Sequence, residues 1–249
     1  INKYMQYLRI IPSLLLSKGT LVKGERFSNY KNVGSPVTTI NAFDSQKADE
    51  IFVIDLDAYR KGTSNDYRSL KKISEISSTP ITFGGGIKNI ENIKEAFKNG
   101  ADKIFLNSIL FSQPKIVSLA GKIFGNQSVV GGINIYCSNK KYFILEDKSK
   151  KIDPLDHVNY LEKIGVAEIK ITYVHLEGTK KGIDIDYSKR IKKNTSLPCI
   201  FEGGIGNLRH LEDYFLSGLE SIALGTILNF SDNNIIKIKK NLIEKNFSI

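Results

Sequence analysis

The chain has 249 residues, 41% of them hydrophobic and 25% charged, with a formal net charge of +10, an ordinary soluble composition with enough apolar residues for a sizeable core. Its two cysteines, Cys137 and Cys199, have no CxxC or CxxH neighbours, which excludes a zinc-site or disulfide pattern and fits a reducing cytoplasm. No apolar run approaches the ~20 residues of a membrane span, the start is too short in apolar residues for a signal peptide, and lysine is spread along the whole chain without an RNP, zinc-finger or helix-turn-helix signature. The expectation is a cytoplasmic protein with no membrane and no nucleic-acid partner, its charge attracting a phosphorylated or acidic small ligand.

In chain order, the first predicted strand (7–15) runs into Leu14, Leu15 and Leu16 with no acid, base or nucleophile among them. The second (50–57) begins at Glu50 and carries Asp55; the third (80–83) leads into Gly84, Gly85 and Gly86. The fourth (102–107) begins with Asp102 and Lys103 and ends at Asn107 and Ser108. The fifth (128–134) ends at Asn134, and the polar stretch 136–153 after it reads as a β-hairpin. The sixth (168–174) begins at Glu168 and leads into His175, Leu176, Glu177 and Gly178. The seventh (198–202) precedes Gly203 and Gly204, and the eighth (221–225) precedes Thr226. Segments such as "NIENIKEAFKNG" and "NLRHLEDYFLSG" carry helical periodicity and close on glycine, the residue expected just past a helix end. His157 and His210, on predicted helices, are expected at the surface. Eight strands alternating with helices predict an α/β fold, a single (β/α)8 TIM barrel forming one domain over 1–249.

An internal repeat strengthens that reading. Residues 83–110 align with 201–228 at a constant offset of 118, superposing Gly85 on Gly203, Gly86 on Gly204 and Asn89 on Asn207. A repeat of half the chain implies two half-barrels closing one barrel.

In such barrels the site lies at the C-terminal ends of the strands, with phosphate commonly at the last two loops. Gly203, Gly204, Gly225 and Thr226 fit a phosphate cradle, and the repeat duplicates it as Gly84, Gly85, Gly86, Asn107 and Ser108. The plain alternative is that these glycines only permit tight turns. Two copies in register favour phosphate binding, and two cradles on one mouth suggest a ligand with phosphate at each end.

The motifs "RIIPSLLLSKGTLVKGERF", "DEIFVIDLDA", "FGGGI", "GADKIFLNS", "FGNQSVVGGIN", "EGTKKGID" and "EGGIG" resemble, in order and over nearly the whole chain, the HisF family, the cyclase subunit of imidazole glycerol phosphate synthase. The resemblance implies a glutaminase partner of the HisH type whose ammonia travels through the barrel to a bis-phosphorylated substrate at the opposite mouth. It implies an ammonia gate of Arg9, Glu50, Lys103 and Glu168 at the barrel floor, with Asp102 facing the glutaminase. Lys23 would contact substrate from the first loop, and Gly178 would join the phosphate-binding residues. No cofactor and no metal is expected.

The sequence departs from the family where the family keeps its acid and base. Leu15 and Asn134 occupy those two positions; Leu15 can move no proton, and Asn134 keeps the shape of aspartate without its acid–base chemistry. Asp55, His175 and Glu177 are the remaining candidates at the mouth. His175 reads either as a replacement acid or base or as a polar loop residue, and Tyr173 is expected to narrow the mouth. "PSLLLSKG" resembles a divergent subgroup found beside a glutaminase and a sugar amidotransferase in surface-polysaccharide (lipopolysaccharide) gene clusters. The expectation is a barrel that conducts ammonia towards amidination of a phosphorylated or nucleotide-linked sugar, with cyclase activity weak or lost. The alternative is an active cyclase of histidine biosynthesis, so the sequence leaves the protein's own catalysis open.

Overall fold

A computed structural model describes residues 7–149 and 151–249. The chain enters through β1 (Arg9–Ser17), turns back in a hairpin of β2 (Thr20–Glu25) and β3 (Ser28–Gly34), and crosses by α1 (Pro36–Ser45) to β4 (Ile51–Asp55). Helices α2 (Leu56–Lys61) and α3 (Tyr67–Ser74) lead to β5 (Ile81–Gly84), and α4 (Ile90–Lys98) to β6 (Lys103–Leu106). After α5 (Ile109–Ser112) and α6 (Lys115–Phe124) come β7 (Val129–Ser138), its antiparallel partner β8 (Lys141–Ile144) and α7 (Pro154–Ile164). The last quarter alternates β9 (Glu168–Tyr173), α8 (Ile185–Lys193), β10 (Cys199–Glu202), α9 (Leu208–Leu216) and β11 (Ser221–Leu224), then α10 (Thr226–Asn229) and α11 (Ile235–Glu244).

Eight of these strands pair in parallel in the order β1, β4, β5, β6, β7, β9, β10, β11, and β11 pairs back onto β1, so the barrel is closed. The eight predicted strands coincide with them. The hairpin expected over 136–153 is shorter: Ile135 to Ser138 pair with Lys141 to Ile144, and the rest is a turn in which the Asp147 carboxylate accepts from the amides of Ser149, Lys151 and Ile152. Lys150 lies outside the described residues.

The period of two along each strand divides two apolar layers. Ile10, Leu14 and Leu16 join the large core between sheet and helices, whereas Ile11 packs inside the barrel with Phe52, Phe105, Val130, Ile200 and Ala223. Only Leu15 of the three leucines at the end of β1 therefore faces the mouth.

The repeat is visible in the helix caps. Asn89 accepts from the amide of Asn92, and Asn207 from that of His210. Asp66 and Asp184, also 118 apart, cap α3 and α8 in the same way. Each satisfies an amide that the first helical turn leaves without a partner.

Two expectations about side-chain direction are corrected. Tyr173 does not narrow the mouth: it is fully buried on the outer face of β9, its hydroxyl 2.8 Å from Ser188 Oγ on α8. His157 is not a surface residue: it is buried on the inner face of α7, stacked on Phe111 at 4.6 Å and Tyr160 at 5.5 Å between ring centroids. Burial drives its pKa down to about 4, and its Nε2 has no hydrogen-bond partner among the described residues. His210 is half-buried, Nδ1 accepting from the Gly206 amide at 3.3 Å.

Candidate functional site

At the floor of the barrel β1, β6 and β9 each open on a charged residue, Arg9, Lys103 and Glu168, and a fourth, Glu50, directly precedes β4. Arg9 Nη1 lies 3.4 Å from Glu50 Oε2, Lys103 Nζ 2.9 Å from the same oxygen and 3.3 Å from Glu168 Oε2, and Arg9 Nη2 bonds Glu168 Oε1. These four ion pairs form a closed cycle. Its acids are almost fully covered, at 4% and 7% side-chain exposure, while Arg9 and Lys103 keep 25% and 27%. Arg9 Nε also donates to Ser221 Oγ at 2.9 Å, and Thr82 Oγ1 donates to Glu50. Burial alone would lower the Lys103 pKa, but Glu50 and Glu168 outweigh it and hold the ammonium protonated. Asp102, beside this ring, accepts the Ile81 amide at 2.8 Å.

Above the floor lies the apolar belt of Ile11, Phe52, Phe105, Val130, Ile200 and Ala223. Against the belt, where Lys170 is in register with Ile200, a second ion pair stands inside the barrel, Lys170 on β9 with Glu202 on β10, both buried. The Lys170 ammonium sits 5.5 and 5.4 Å from the ring centroids of Phe52 and Phe105 and 3.1 Å from Thr172 Oγ1. Burial would raise the Glu202 pKa, but Lys170 and then Lys23 outweigh it and hold the carboxylate ionised. This pair was not expected. Glu168, Lys170 and Thr172 occupy alternate positions of one buried strand, a signal that period-two reading could have caught.

The mouth opens above this pair as a cavity of about 130 Å³. Leu15, Ile54, Leu56 and Phe105 make its apolar base, and Phe27, Tyr30, Tyr59 and Arg60 one wall, with Arg60 5.3 Å from the Tyr30 centroid. Gly85, Gly86, Asn107 and Ser108 line it together with Asn134. A side chain at Gly84 would meet Phe105 O at 2.5 Å, so that glycine serves strand packing.

The glycines of the other half-barrel face a different space. Gly178, Gly203, Gly204, Gly225 and Thr226 border only about 10 Å³, shared with Lys23 and Glu177. Lys23 is on β2, buried, and ion-paired with the buried Glu177 carboxylate. A Cβ at Gly225 would lie 2.6 Å from its Nζ, so the lysine fills this corner. Gly178 has φ +79°, and a Cβ there would meet Glu25 Cα at 2.8 Å; glycine lets the β2–β3 hairpin close onto the loop after β9. The two halves of the mouth are therefore unlike: one is open, the other is plugged by a neutralised pair.

Of the acid–base candidates, Asp55 does not face the cavity. It lies one residue past the inward Ile54, and its two oxygens accept from the amides of Ala58 (2.9 Å) and Asp66 (2.8 Å), capping α2. His175 is also turned aside: Nδ1 accepts from the Cys137 amide at 3.2 Å, and burial lowers its pKa. That arrangement ties the base of the β7–β8 hairpin to the loop after β9. Glu177 reaches the cavity but is held by Lys23.

A carboxyl that sequence reasoning missed lies just behind the Asn107 and Asn134 side chains, outside the residues that line the cavity. Glu146, just past β8, accepts on Oε1 from Asn134 Nδ2 at 2.6 Å and from Asn107 Nδ2 at 3.0 Å. Backbone pairing places it there, the Leu145 amide donating to Asn134 O at 2.8 Å. Its Oε2 is buried without a hydrogen-bond partner among the described residues. Burial raises its pKa, outweighing the two side-chain amides and the nearby backbone amides of Glu146 and Asn134.

These features define a (β/α)8 barrel with a charged floor and a site at the C-terminal ends of its strands. The model of the histidine biosynthesis protein family matches residues 9–234, and the chain belongs to that family. It is 32% identical over 253 residues to the imidazole glycerol phosphate synthase subunit HisF of Clostridium botulinum strain Okra, covering 97% of this chain and 98% of that protein. It is 33% identical over 245 residues to the subunit of the same name from Chloroherpeton thalassium, with 97% and 98% covered. The HisF of Thermococcus onnurineus is 30% identical over 244 residues, with 97% of each chain covered. No helix among the described residues is long and apolar enough to cross a membrane.

Proposed function

We propose that the chain is the HisF-like barrel subunit of a glutamine amidotransferase complex, receiving ammonia from a HisH-like glutaminase at its floor and delivering it to a phosphorylated ligand at its mouth. The observation that carries this reading is the contrast between the two ends. The floor holds a closed four-residue charged ring, while the cavity has Leu15 and Asn134 where the family keeps its acid and base. Positioned acid–base groups contribute about 10²–10⁴-fold each to rate, so a mouth without that pair is a weak cyclase. The final acceptor is then a phosphorylated or nucleotide-linked sugar, amidinated with a sugar amidotransferase as further partner; the three leucines at the end of β1 support that assignment. Each group has a share in the work. The ring opens to admit ammonia, the belt keeps water out, and Gly85, Gly86, Asn107 and Ser108 hold a phosphate beside Asn134. Arg60 and the aromatic wall cover the rest of the ligand.

A second reading, an active cyclase of histidine biosynthesis, is favoured by one specific observation: the Glu146 carboxyl lies 2.6 Å from the Asn134 amide. The two readings separate in one assay, turnover of the bis-phosphorylated cyclase substrate by this protein alone with saturating ammonium salt. Turnover near that of an ordinary HisF establishes the cyclase. Binding without turnover supports a barrel that hands its chemistry on.

A further inference from the structure

We propose that the mouth selects a ligand that is anionic at one end only and carries a flat ring at the other, the chemistry of a nucleoside phosphate. The β2–β3 hairpin imposes both halves of that choice. Both rest on the reading of Gly85, Gly86, Asn107 and Ser108 as a phosphate cradle.

The hairpin closes the second anion corner. Lys23 of β2 reaches the corner bordered by Gly203, Gly204 and Gly225, but its ammonium is ion-paired with Glu177. Glu202 borders the same corner, so two carboxylates meet one ammonium there. A phosphate entering it would face like charge and would have to part a buried ion pair, and both are costly. The closure is braced from outside. The Arg26 amide donates to Glu177 O at 3.0 Å, and Arg26 Nε donates to His175 O at 3.2 Å. With the close approach at Gly178, these bonds clamp the hairpin tip onto the loop after β9.

The clamped tip presents a ring to the open half. Arg26 and Phe27 form the two-residue turn between β2 and β3, with φ +51° and +59°. That left-handed backbone suits Asn and Gly in a hairpin turn and is unfavourable for a phenylalanine. Glycine would make this turn more easily, yet the chain keeps a large ring there, and the ring borders the cavity. Strain of this kind marks a side chain held for its position. Tyr30 of β3 and Tyr59 of α2 border the same space, and Tyr59 is 43% exposed. Among the described residues none of these three rings stacks on another aromatic ring, and Arg60, set over Tyr30, has no carboxylate partner. Aromatic faces and a guanidinium plane stack on any nucleobase. A sugar phosphate without a ring leaves this wall uncovered.

Three probes titrated calorimetrically into the full chain test both halves of the choice: ribose 5-phosphate, uridine 5′-monophosphate and the bis-phosphorylated cyclase substrate. Uridine 5′-monophosphate should bind roughly tenfold tighter than ribose 5-phosphate, and the bis-phosphorylated substrate no tighter than the nucleotide. Equal affinity for the first two overturns the ring half. A bis-phosphorylated ligand bound more than about tenfold tighter than the nucleotide overturns the closed corner. Either result leaves the cradle standing, whereas no binding of any probe overturns the cradle and the proposal with it. Phe27→Gly separates recognition from folding, because it removes the ring and relieves the left-handed turn. It should lose most of the nucleotide's advantage over ribose 5-phosphate while its urea midpoint stays at or above that of the wild type. A retained advantage would mean that Phe27 only packs the hairpin, and overturns its part.

Discussion

Glu50 and Glu168 stand 118 residues apart in the sequence, one in each half-barrel, and share the same two cations on the barrel floor. Each acid is covered and each cation is partly wet, so the ring is held from inside and can be loosened from outside. Removing Arg9 leaves both acids on Lys103 alone. Arg9→Ala should destabilise the fold by about 2 kcal/mol, less than the roughly 3–5 kcal/mol of a fully buried broken pair because the guanidinium is part-exposed. Urea denaturation measures that loss. With a glutaminase partner, glutamine-supported amination should fall well below ammonium-supported amination; equal loss of both counts against the floor as an entrance.

The Lys170–Glu202 pair has no solvent to soften its removal. Lys170→Met leaves Glu202 buried without its nearest cation and should cost about 3–5 kcal/mol. The double variant Lys170→Met/Glu202→Leu should recover most of that loss, since an apolar pair of similar volume is tolerated. A denaturation double-mutant cycle gives the coupling. Additive losses in the double variant would mean that the two residues act separately.

Lys23 and Glu177 plug the smaller half of the mouth. Glu177→Gln removes the carboxylate that competes for the ammonium and should tighten binding of a sugar bisphosphate roughly threefold to tenfold over wild type. A sugar monophosphate, seated in the open half, should change little. Titration calorimetry of both ligands decides it: an equal gain for both places the effect outside this corner.

His157 sets a pH dependence. Its pKa falls to about 4 in the folded chain because burial penalises the charged ring, against about 6.5 when unfolded. Between those values the unfolded chain binds the extra proton, so stability is full above about pH 6.5 and is lost as pH falls towards 4, by on the order of 3 kcal/mol in all. His157→Phe keeps the stack on Phe111 and Tyr160 and removes the orphaned Nε2. Urea midpoints should then be flatter over that interval, and an unchanged slope would assign it to other groups.

Most of the barrel was legible because its signals are local. Alternating strands, glycine-closed helices and the repeat of 118 residues each survive without tertiary knowledge, and the floor ring followed from the family resemblance. Direction of side chains was the weak point. Asp55 and Tyr173 each lie one residue beyond an inward position, Ile54 and Thr172, and so point away from the mouth; counting by two from Phe52 or Lys170 would have shown it. The buried set Pro154, His157, Val158 and Leu161 on α7 has the spacing of an inward helix face, so His157 was readable too. Glu146 was not. It sits in a polar run whose register on Asn134 is set by pairing between β7 and β8, and composition carries no trace of that pairing.

The barrel interior runs from a charged cycle to an apolar belt, against whose Phe52 and Phe105 rings the Lys170 ammonium is set, and then to the cavity that Lys170 and Glu202 help to line. A layer such as the belt discriminates by charge before it discriminates by size. A cation would have to shed its water there among aliphatic and aromatic side chains with the Lys170 ammonium beside them, so it is disfavoured relative to a neutral base. If ammonia crosses this barrel as proposed, it would do so as the neutral base, and the proton it loses at the floor would have to be replaced at the mouth.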